Sequence, residues 1–383
     1  MRSEYDVVVV GGGPAGATAA LAVARRGCSV LVIEASDLPR EKLCGGLLSR
    51  KTVRIVNRLH GTTDEDLVRL GIINYSSNGY RIVFDSKPLC DDVYDYPFHF
   101  VERAVLDAWL LDRAVEAGAD LLAGVPVRDV NLATGAVVLR DGRMVRGRRI
   151  IGADGANSVV RRSFPVDKRA WTKSLASTVE VRIPRAQYPK DVAVPEVHIG
   201  PIAEGYGWVF PNSDHVVVGL GGRMPGGGNI AALFRVFCHE LGIHDTDSLQ
   251  LKGHPLPFGN YLPRLVHGKG VLAGDAGGLV EPVFGEGIYF AIRSGEAAGE
   301  SICRSLKRHR SPEAEYMREL RRDVYGEILG SRRMQRVLYF FDRNGLNPLV
   351  KWGVRVGREV LLDVIHGRRS FRLFRKLPDN LRA

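Results

Sequence analysis

Cysteine is scarce in this chain, and no hydrophobic run is long enough to cross a bilayer. The five cysteines of the 383 residues are scattered, and no pair has the spacing of a metal site. The ten histidines form no ligand cluster either. These absences indicate a reducing compartment and argue against a zinc or iron–sulfur centre. We therefore expect a protein that holds no metal.

We also expect no secretory signal, because a strand-like run, Val7–Val10, starts almost at the N-terminus. We expect a cytoplasmic protein. The charge is less ordinary, since 54 Lys and Arg against 43 Asp and Glu give a net charge of +11. Such an excess favours anionic partners, for example lipid head groups or acidic proteins. The chain carries no recognition motif for DNA or RNA, so we expect no nucleic-acid partner.

The strongest pattern present is a strand, a glycine turn and a helix at the start of the chain. The valines Val7–Val10 are typical of a buried parallel strand, and a helix is expected from about Ala15. A second strand ends in Glu34, whose carboxylate is placed to accept hydrogen bonds from a ribose. The turn has the glycine spacing of a dinucleotide fingerprint: Gly11, Gly13 and Gly16. The sequence therefore predicts a dinucleotide whose phosphates face a helix N-terminus.

Two residues between this site and the middle of the chain each have two interpretations. Cys44, followed by Gly45 and Gly46, either lies with backbone amides near a planar ligand or is a buried structural cysteine. Arg103 falls in the first turn of a predicted helix, where the helix dipole disfavours a cation. An external anion holds that arginine, or solvent surrounds it.

Further along, short alternating strands from Trp171 to Leu256 predict a mainly antiparallel sheet. One of these strands has three aromatic residues on one face: Tyr206, Trp208 and Phe210. The three rings either belong to the core or line a long apolar pocket. On either side of this region, Asp154-Gly155 and Asp275 each follow a strand, and Asp275 is placed to bind a polyol. A helix then starts at Ile288, and its first amides indicate an anion-binding end.

These motifs resemble those of flavoproteins related to p-hydroxybenzoate hydroxylase, which implies FAD rather than NAD. Two narrower segments, Lys42–Gly46 and Tyr206–Pro211, resemble signatures of the geranylgeranyl reductase family. Flavin-dependent halogenases have a similar aromatic box with Trp at its first position, where this chain has Tyr206. By motif position, the resemblance implies which residues bind each part of FAD. The AMP half and pyrophosphate would contact Gly11, Gly13, Ala15, Gly16 and Glu34, with Val127 near the adenine and Arg103 at the pyrophosphate or ribityl region. Cys44 and Gly45 would lie beside the isoalloxazine, Asp275 on the ribityl chain, and Gly287 and Ile288 at flavin N1 and O2, while Asp154 is a further cofactor-binding residue.

The resemblance also implies an α/β fold with an α+β second domain. We expect three regions: a discontinuous Rossmann-like FAD-binding domain over 1–75, 101–165 and 266–306, an antiparallel-sheet substrate domain over 76–100 and 166–265, and a helical basic C-terminal region over 307–383. The implied reaction is reduction of a C=C bond in a geranylgeranyl or other polyprenyl group by hydride from reduced flavin. An external electron donor is needed, either NAD(P)H or a donor protein such as ferredoxin.

An isolated alkene has no carbonyl to polarise, so placement and exclusion of water carry much of this reaction. Cys44 is the first candidate for the proton donor or relay and Tyr206 the second, while the aromatic face would hold the prenyl chain. Two rival functions stay open, namely an FAD monooxygenase and a flavoprotein that carries electrons to a membrane quinone.

The C-terminal stretch from Arg332 to Arg382 has many more basic than acidic residues, interleaved with apolar ones. Helices separated by Asn347-Pro348 and Gly367 fit the pattern. They form either a helical cap with a solvated basic face or a peripheral contact with the anionic inner face of a membrane.

Overall fold

A computed structural model describes residues 2–224, 227–308 and 311–376. Within them the strands are β1 (Glu4–Val10), β2 (Val30–Ile33), β3 (Leu47–Leu48), β4 (Ile73–Phe84), β5 (Lys87–Val101), β6 (Asp120–Leu122), β7 (Val127–Asn131), β8 (Ala136–Leu139), β9 (Met144–Gly152), β10 (Ala176–Pro184), β11 (Glu196–Ile199), β12 (Glu204–Pro211), β13 (His215–Arg223), β14 (Lys252–Leu256), β15 (Val266–His267) and β16 (Gly270–Leu272). The helices are α1 (Pro14–Ala24), α2 (Arg50–His60), α3 (Asp64–Arg69), α4 (Arg103–Glu116), α5 (Lys168–Ser174), α6 (Ile230–Glu240), α7 (Ile288–Arg308), α8 (Glu313–Asp323), α9 (Tyr325–Arg343) and α10 (Asn347–Ile365).

The chain divides into two compact units, each assembled from separate segments. The first unit comprises the chain up to Glu41, Ala104–Ser174 and Pro257–Leu329. The second comprises Lys42–Arg103, Leu175–Leu256 and the chain from Gly330. The division into three regions expected from the sequence stays a prediction.

A largely parallel sheet forms the centre of the first unit. Its strands follow the order β15-β16-β9-β1-β2-β6, and β8 continues from β9 with β7 beside it. The central strand β1 pairs in parallel with β2 on one side and β9 on the other. Its valines, Val7–Val10, are at most 4 % exposed, because helices and strands cover them on every side. The predicted buried parallel strand is confirmed.

Two helices of the first unit pack with their backbones unusually close. A Cβ atom on Gly295 of α7 would stand 2.1 Å from the carbonyl oxygen of Ala15 in α1. One helical turn later, a Cβ on Gly299 would stand 2.6 Å from the carbonyl oxygen of Ala19. Glycine at these positions therefore lets α7 lie directly against α1.

The second unit contains a sheet in the order β14-β10-β13-β12-β11-β4-β5-β3. Its neighbouring strands are antiparallel, as predicted, except that β11 pairs with β4 in parallel. Side chains alternate between its two faces. One face packs against α6 through apolar residues that include Val179, Val209 and Val218. The opposite face carries Trp208 and Phe210, which pack with aromatic residues of β4 and β5.

Helices form the C-terminal region, as the sequence predicts. The predicted break between helices at Asn347-Pro348 coincides with the start of α10, and Gly367 follows the end of α10. The part of the basic stretch from Leu377 to Arg382 lies outside the described residues. In the ranges that are described, no helix has both the length and the apolar character that a bilayer-spanning segment requires. The predicted fold class, α/β with an antiparallel second sheet and a helical C-terminal region, is confirmed.

Candidate functional site

The glycine turn of the first unit leads directly into the N-terminus of α1. Gly13 occupies the N-cap position, and no side chain caps the helix there. The first backbone N–H groups of α1 are therefore suited to an anionic group. Gly16 lies so close to the turn that a Cβ atom would stand 1.8 Å from the carbonyl oxygen of Gly11. Gly11 itself has φ +99°, a conformation that favours glycine.

Glu34 is held at the end of β2 beside this turn. Its carboxylate is nearly buried and accepts a hydrogen bond from the backbone N–H of Gly12 at 2.7 Å. Arg40 approaches the same carboxylate, with its Nε atom 3.3 Å from Oε1. The Nη2 atom of Arg40 lies 3.2 Å from a carboxylate oxygen of the fully buried Asp107. These contacts fix one carboxylate and one guanidinium next to the turn.

Arg40 and Asp107 are absent from the site expected from the sequence. The guanidinium of Arg40 lies 3.4 Å from the position that a Cβ on Gly13 would take, so a cation lies beside the glycine turn. A basic residue in the loop after Glu34 was the available signal for Arg40. Nothing local marks Asp107, because its role depends on how α4 packs against that loop.

The Asp154-Gly155 motif forms a tight, partly buried turn. The carboxylate of Asp154 accepts hydrogen bonds from the hydroxyl of Ser158 at 2.5 Å and from the N–H of Val159 at 2.6 Å. Burial raises the pKa of Asp154 above its ordinary value, although these hydrogen bonds oppose the shift. Both carboxylate oxygens thus act within the turn, and a contact between Asp154 and a cofactor stays a prediction.

Arg161 links this turn to the Asp275 motif. Its guanidinium donates hydrogen bonds to the carbonyl oxygens of Ala156 at 2.6 Å and Ala276 at 3.2 Å. The same group lies over the ring of Trp171, 3.8 Å from the ring centroid. Burial lowers the pKa of Arg161 to about 10, which still leaves the side chain cationic at neutral pH.

The Asp275 and Gly287 motifs meet each other and the glycine turn. The Oδ1 atom of Asp275 lies 3.7 Å from the position that a Cβ on Gly287 would take. A Cβ on Gly274 would stand 3.0 Å from the side chain of Ala15 in α1. Ile288, at the start of α7, is 9 % exposed. The first unit therefore gathers residues that the sequence assigns to one cofactor.

In the second unit, the two narrower signatures come together. A Cβ on Gly45 would stand 2.7 Å from the ring of Phe210 and 3.3 Å from the indole nitrogen of Trp208. Trp208 in turn lies across Gly219 of the next strand, where a Cβ would meet the indole at 2.2 Å. Tyr206 packs edge-on against Trp208, with ring centroids 6.0 Å apart. The Cys44-Gly45 loop thus lies on the aromatic face of the sheet.

A buried carboxyl group, which the sequence did not single out, holds this loop. Glu180 of β10 is 4 % exposed, and its Oε1 atom accepts a hydrogen bond from the N–H of Cys44 at 2.8 Å. Burial raises the pKa of Glu180 to about 7, against the opposing effects of that hydrogen bond and of nearby cations. The Sγ atom of Cys44 accepts a weak hydrogen bond from the N–H of Gly46 at 3.4 Å.

The chain is similar to known flavoproteins over most of its length. A family model described as an FAD binding domain matches residues 4–200. A geranylgeranyl diphosphate reductase of Rhodobacter capsulatus is 31 % identical over 88 % of this chain and 85 % of its own. The chain belongs to the geranylgeranyl reductase family of FAD-dependent oxidoreductases. A menaquinone reductase of Mycolicibacterium smegmatis is 31 % identical over 78 % of this chain and 76 % of its own.

A solved structure shares the same fold. A geranylgeranyl bacteriochlorophyll reductase-like protein of Thermoplasma acidophilum superposes with a TM-score of 0.77, over 99 % of this chain and 94 % of its own. Its sequence is 22 % identical to this one. This likeness shows that the two chains share a fold.

The residues of the first unit fit the FAD that the family uses. The uncapped N-terminus of α1 suits the pyrophosphate, and the Glu34 carboxylate suits the ribose hydroxyls. The start of α7 provides amides for an anionic group beside Asp275. The individual contacts of Val127, which begins β7, and of Arg103, which begins α4 and is 7 % exposed, stay predictions.

Replacing the Glu34 carboxylate tests its predicted role in binding the ribose. We expect Glu34→Gln to weaken FAD binding about tenfold, because a charge-assisted hydrogen bond contributes about 1.5–3 kcal/mol and the amide carries no charge. Titration of the FAD-free protein with FAD, followed by flavin fluorescence, measures the change. Glu4→Gln, an exposed substitution in the same unit, serves as the control. Equal affinity in the two variants would contradict the role of Glu34.

Proposed function

We propose that this protein reduces C=C bonds of a geranylgeranyl or other polyprenyl group. The observation that carries the proposal is the contact of Gly45 with Trp208 and Phe210, which joins a cysteine loop to an aromatic surface. Relatives named geranylgeranyl diphosphate reductase and menaquinone reductase support it, since both names refer to prenylated molecules. The proposed substrate is a prenylated diphosphate, lipid, quinone or chlorophyll-type precursor.

Saturating an isolated alkene adds a hydride to one carbon and a proton to the other. Reduced FAD, when bound, supplies the hydride. The chain must supply the proton, hold the prenyl group and keep water away. Trp208 and Phe210 are nearly buried, which suits the holding of an apolar chain, and the partly exposed Tyr206 extends the same face.

Cys44 is the proposed proton donor, with Tyr206 as the second candidate. Cys44 is a partly exposed residue, whereas Cys238 and Cys303 are buried. A cysteine whose only role is to fill the core would be expected to resemble those two. The backbone on both sides of Cys44 is fixed, by Glu180 on one side and by the aromatic face on the other.

Removing the thiol tests the proton-donor role. We expect Cys44→Ser to lower the rate of alkene reduction by about 100-fold or more, because a hydroxyl is a much poorer general acid. The FAD content should stay unchanged. Mass spectrometry of the prenyl product, which gains two hydrogen atoms per reduced bond, measures the rate. Cys28→Ser, at another partly exposed cysteine, is the control. Equal rates in both variants would remove Cys44 from the mechanism.

We further propose that α10 contacts an anionic lipid surface. Leu349, Trp352 and Val356 are 52–66 % exposed, and their spacing places them along one side of the helix. The exposed Arg355 lies between the last two, and the net charge of the chain is +11. An apolar stripe flanked by cations is typical of a helix that lies in the interface of an anionic membrane. A substrate with a prenyl chain would be drawn from such a membrane.

Sedimentation with vesicles tests the lipid contact. We expect binding to phosphatidylserine-containing vesicles and not to phosphatidylcholine vesicles, with loss of binding as salt is raised. Replacing Leu349, Trp352 and Val356 together by Ser should abolish binding. Val236→Ser, at an exposed apolar residue of α6, should leave it intact. Equal binding by the triple variant, or no binding at low salt, would leave α10 as part of a helical cap.

A further inference from the structure

Glu180 occupies an unusual position for a carboxyl group. It pairs across the sheet with Gly219 of β13, which in turn pairs with Trp208 of β12. Residues that pair directly across antiparallel strands point to the same face. Glu180 therefore lies on the aromatic face, on the strand just beyond the glycine over which the indole lies. The sheet buries an ionisable group within the surface proposed to hold an apolar chain.

Only one of the two carboxyl oxygen atoms of Glu180 accepts a hydrogen bond within the described part of the chain. Oε1 accepts the hydrogen bond from the N–H of Cys44, whereas Oε2 is buried and has no hydrogen-bond partner there. The indole nitrogen of Trp208 is also buried without a partner in those residues. An unpaired buried carboxyl oxygen costs free energy that a purely structural acid would avoid. Retaining it indicates a chemical role.

The carboxyl group also lies close to the thiol. The N–H that Glu180 accepts belongs to Cys44 itself, and covalent geometry keeps the Cys44 sulfur within about 4 Å of its own backbone nitrogen. Together with the 2.8 Å hydrogen bond, this places the thiol at most about 7 Å from Oε1. A direct contact or a short chain of one or two hydrogen-bonded waters covers that distance.

Charged and titratable groups reach Glu180 from every neighbouring element. Arg182 on β10, Lys42 in the cysteine loop and Arg103 at the start of α4 act on its charge. On β14, Lys252 pairs directly with Glu180, and His254 pairs with Thr178, two residues before Glu180. The three cations Arg182, Lys42 and Arg103 favour the carboxylate, but burial outweighs them. Burial likewise lowers the pKa of His254 to about 4, so its imidazole is neutral near pH 7. Glu180 is therefore an acid that can exchange a proton in that range.

We propose that Glu180 is a positioning residue that fixes the Cys44 loop and supplies the proton that Cys44 passes to the substrate. The inference rests on the proposed alkene reduction. When the Cys44 thiol gives its proton to the alkene carbon, a thiolate is left. Thiolates are ordinarily more basic than carboxylates, so the thiolate takes the proton of the neutral Glu180 carboxyl group. The resulting carboxylate then recovers a proton from solvent.

The pH dependence of alkene reduction separates this role from a structural one. We expect the rate in the unmodified protein to fall as the pH rises through about 7, because the neutral acid is lost. Glu180→Gln keeps an acceptor for the Cys44 N–H but has no proton to give. Its rate at pH 6 should be about tenfold lower, and the fall near pH 7 should disappear. Glu180→Asp should retain part of the rate at pH 6 and part of the fall in rate near pH 7.

Alkylation of Cys44 by iodoacetamide gives a second measurement that needs no substrate. It is made on the FAD-bound protein with Cys28 and Cys90 replaced by Ser. Above pH 7 the ionised Glu180 disfavours a nearby thiolate. We therefore expect Cys44 in the Glu180→Gln variant to react several-fold faster at pH 8 and at a similar rate below pH 6. Peptide mass spectrometry identifies the modified residue.

Thr178→Val provides the matched control. Thr178 lies two residues before Glu180 on the same face of β10, and its hydroxyl donates a hydrogen bond to the carbonyl oxygen of His254. In this variant, alkene reduction and Cys44 alkylation should each depend on pH as in the unmodified protein. Equal alkylation rates in Glu180→Gln and the unmodified protein would overturn the proposal. If no prenyl substrate is reduced at all, the proposed function fails, while the alkylation result still decides whether Glu180 controls Cys44.

Discussion

The close approach of the Cys44-Gly45 loop to the sheet of the second unit is the constraint on which the proposed chemistry depends. Because Gly219 has no side chain, the indole of Trp208 can lie across β13. Because Gly45 has none, the backbone of the loop can approach the rings of Phe210 and Trp208. A side chain at either position would separate the loop from the aromatic face. One sheet face therefore presents a thiol, a buried acid and a set of aromatic rings.

The first unit carries the groups that are expected to hold the anionic FAD. Helix dipoles, an N-terminus without a side-chain cap and the Arg40 guanidinium give a positive potential beside the glycine turn. The carboxylate of Glu34 is the predicted acceptor for the ribose hydroxyls. The backbone contact between α1 and α7 brings the glycine turn next to the Asp275 motif, which lies more than 250 residues further along the chain.

Much of this could be predicted from the sequence, because the relevant signals are local. The valines of β1, the glycine turn and a helix with Arg103 in its first turn each follow from a few neighbouring residues. The β4–β5 hairpin is harder to predict from local signals. Its turn residues Asp85 and Ser86 have positive φ angles without glycine, so the usual hairpin signal is missing.

The features that escaped prediction depend on contacts between distant segments. The hydrogen bond between Cys44 and Glu180 spans 136 positions, and the polar residue in an alternating strand would ordinarily be assigned to solvent. The parallel pairing of β11 with β4 joins segments about as far apart and has no local signature. Arg40 and Asp107 likewise meet only because α4 packs beside the loop that carries Arg40.

Anaerobic reoxidation tests the central claim most directly. The protein is reduced with dithionite in the absence of oxygen until its yellow colour is lost, and geranylgeranyl diphosphate or menaquinone is then added. The account predicts that the flavin absorbance returns without oxygen and that the prenyl group gains two hydrogen atoms per reduced bond. A reduced protein that stays colourless with both prenyl compounds, and regains its colour only with oxygen while forming a hydroxylated product, would contradict it.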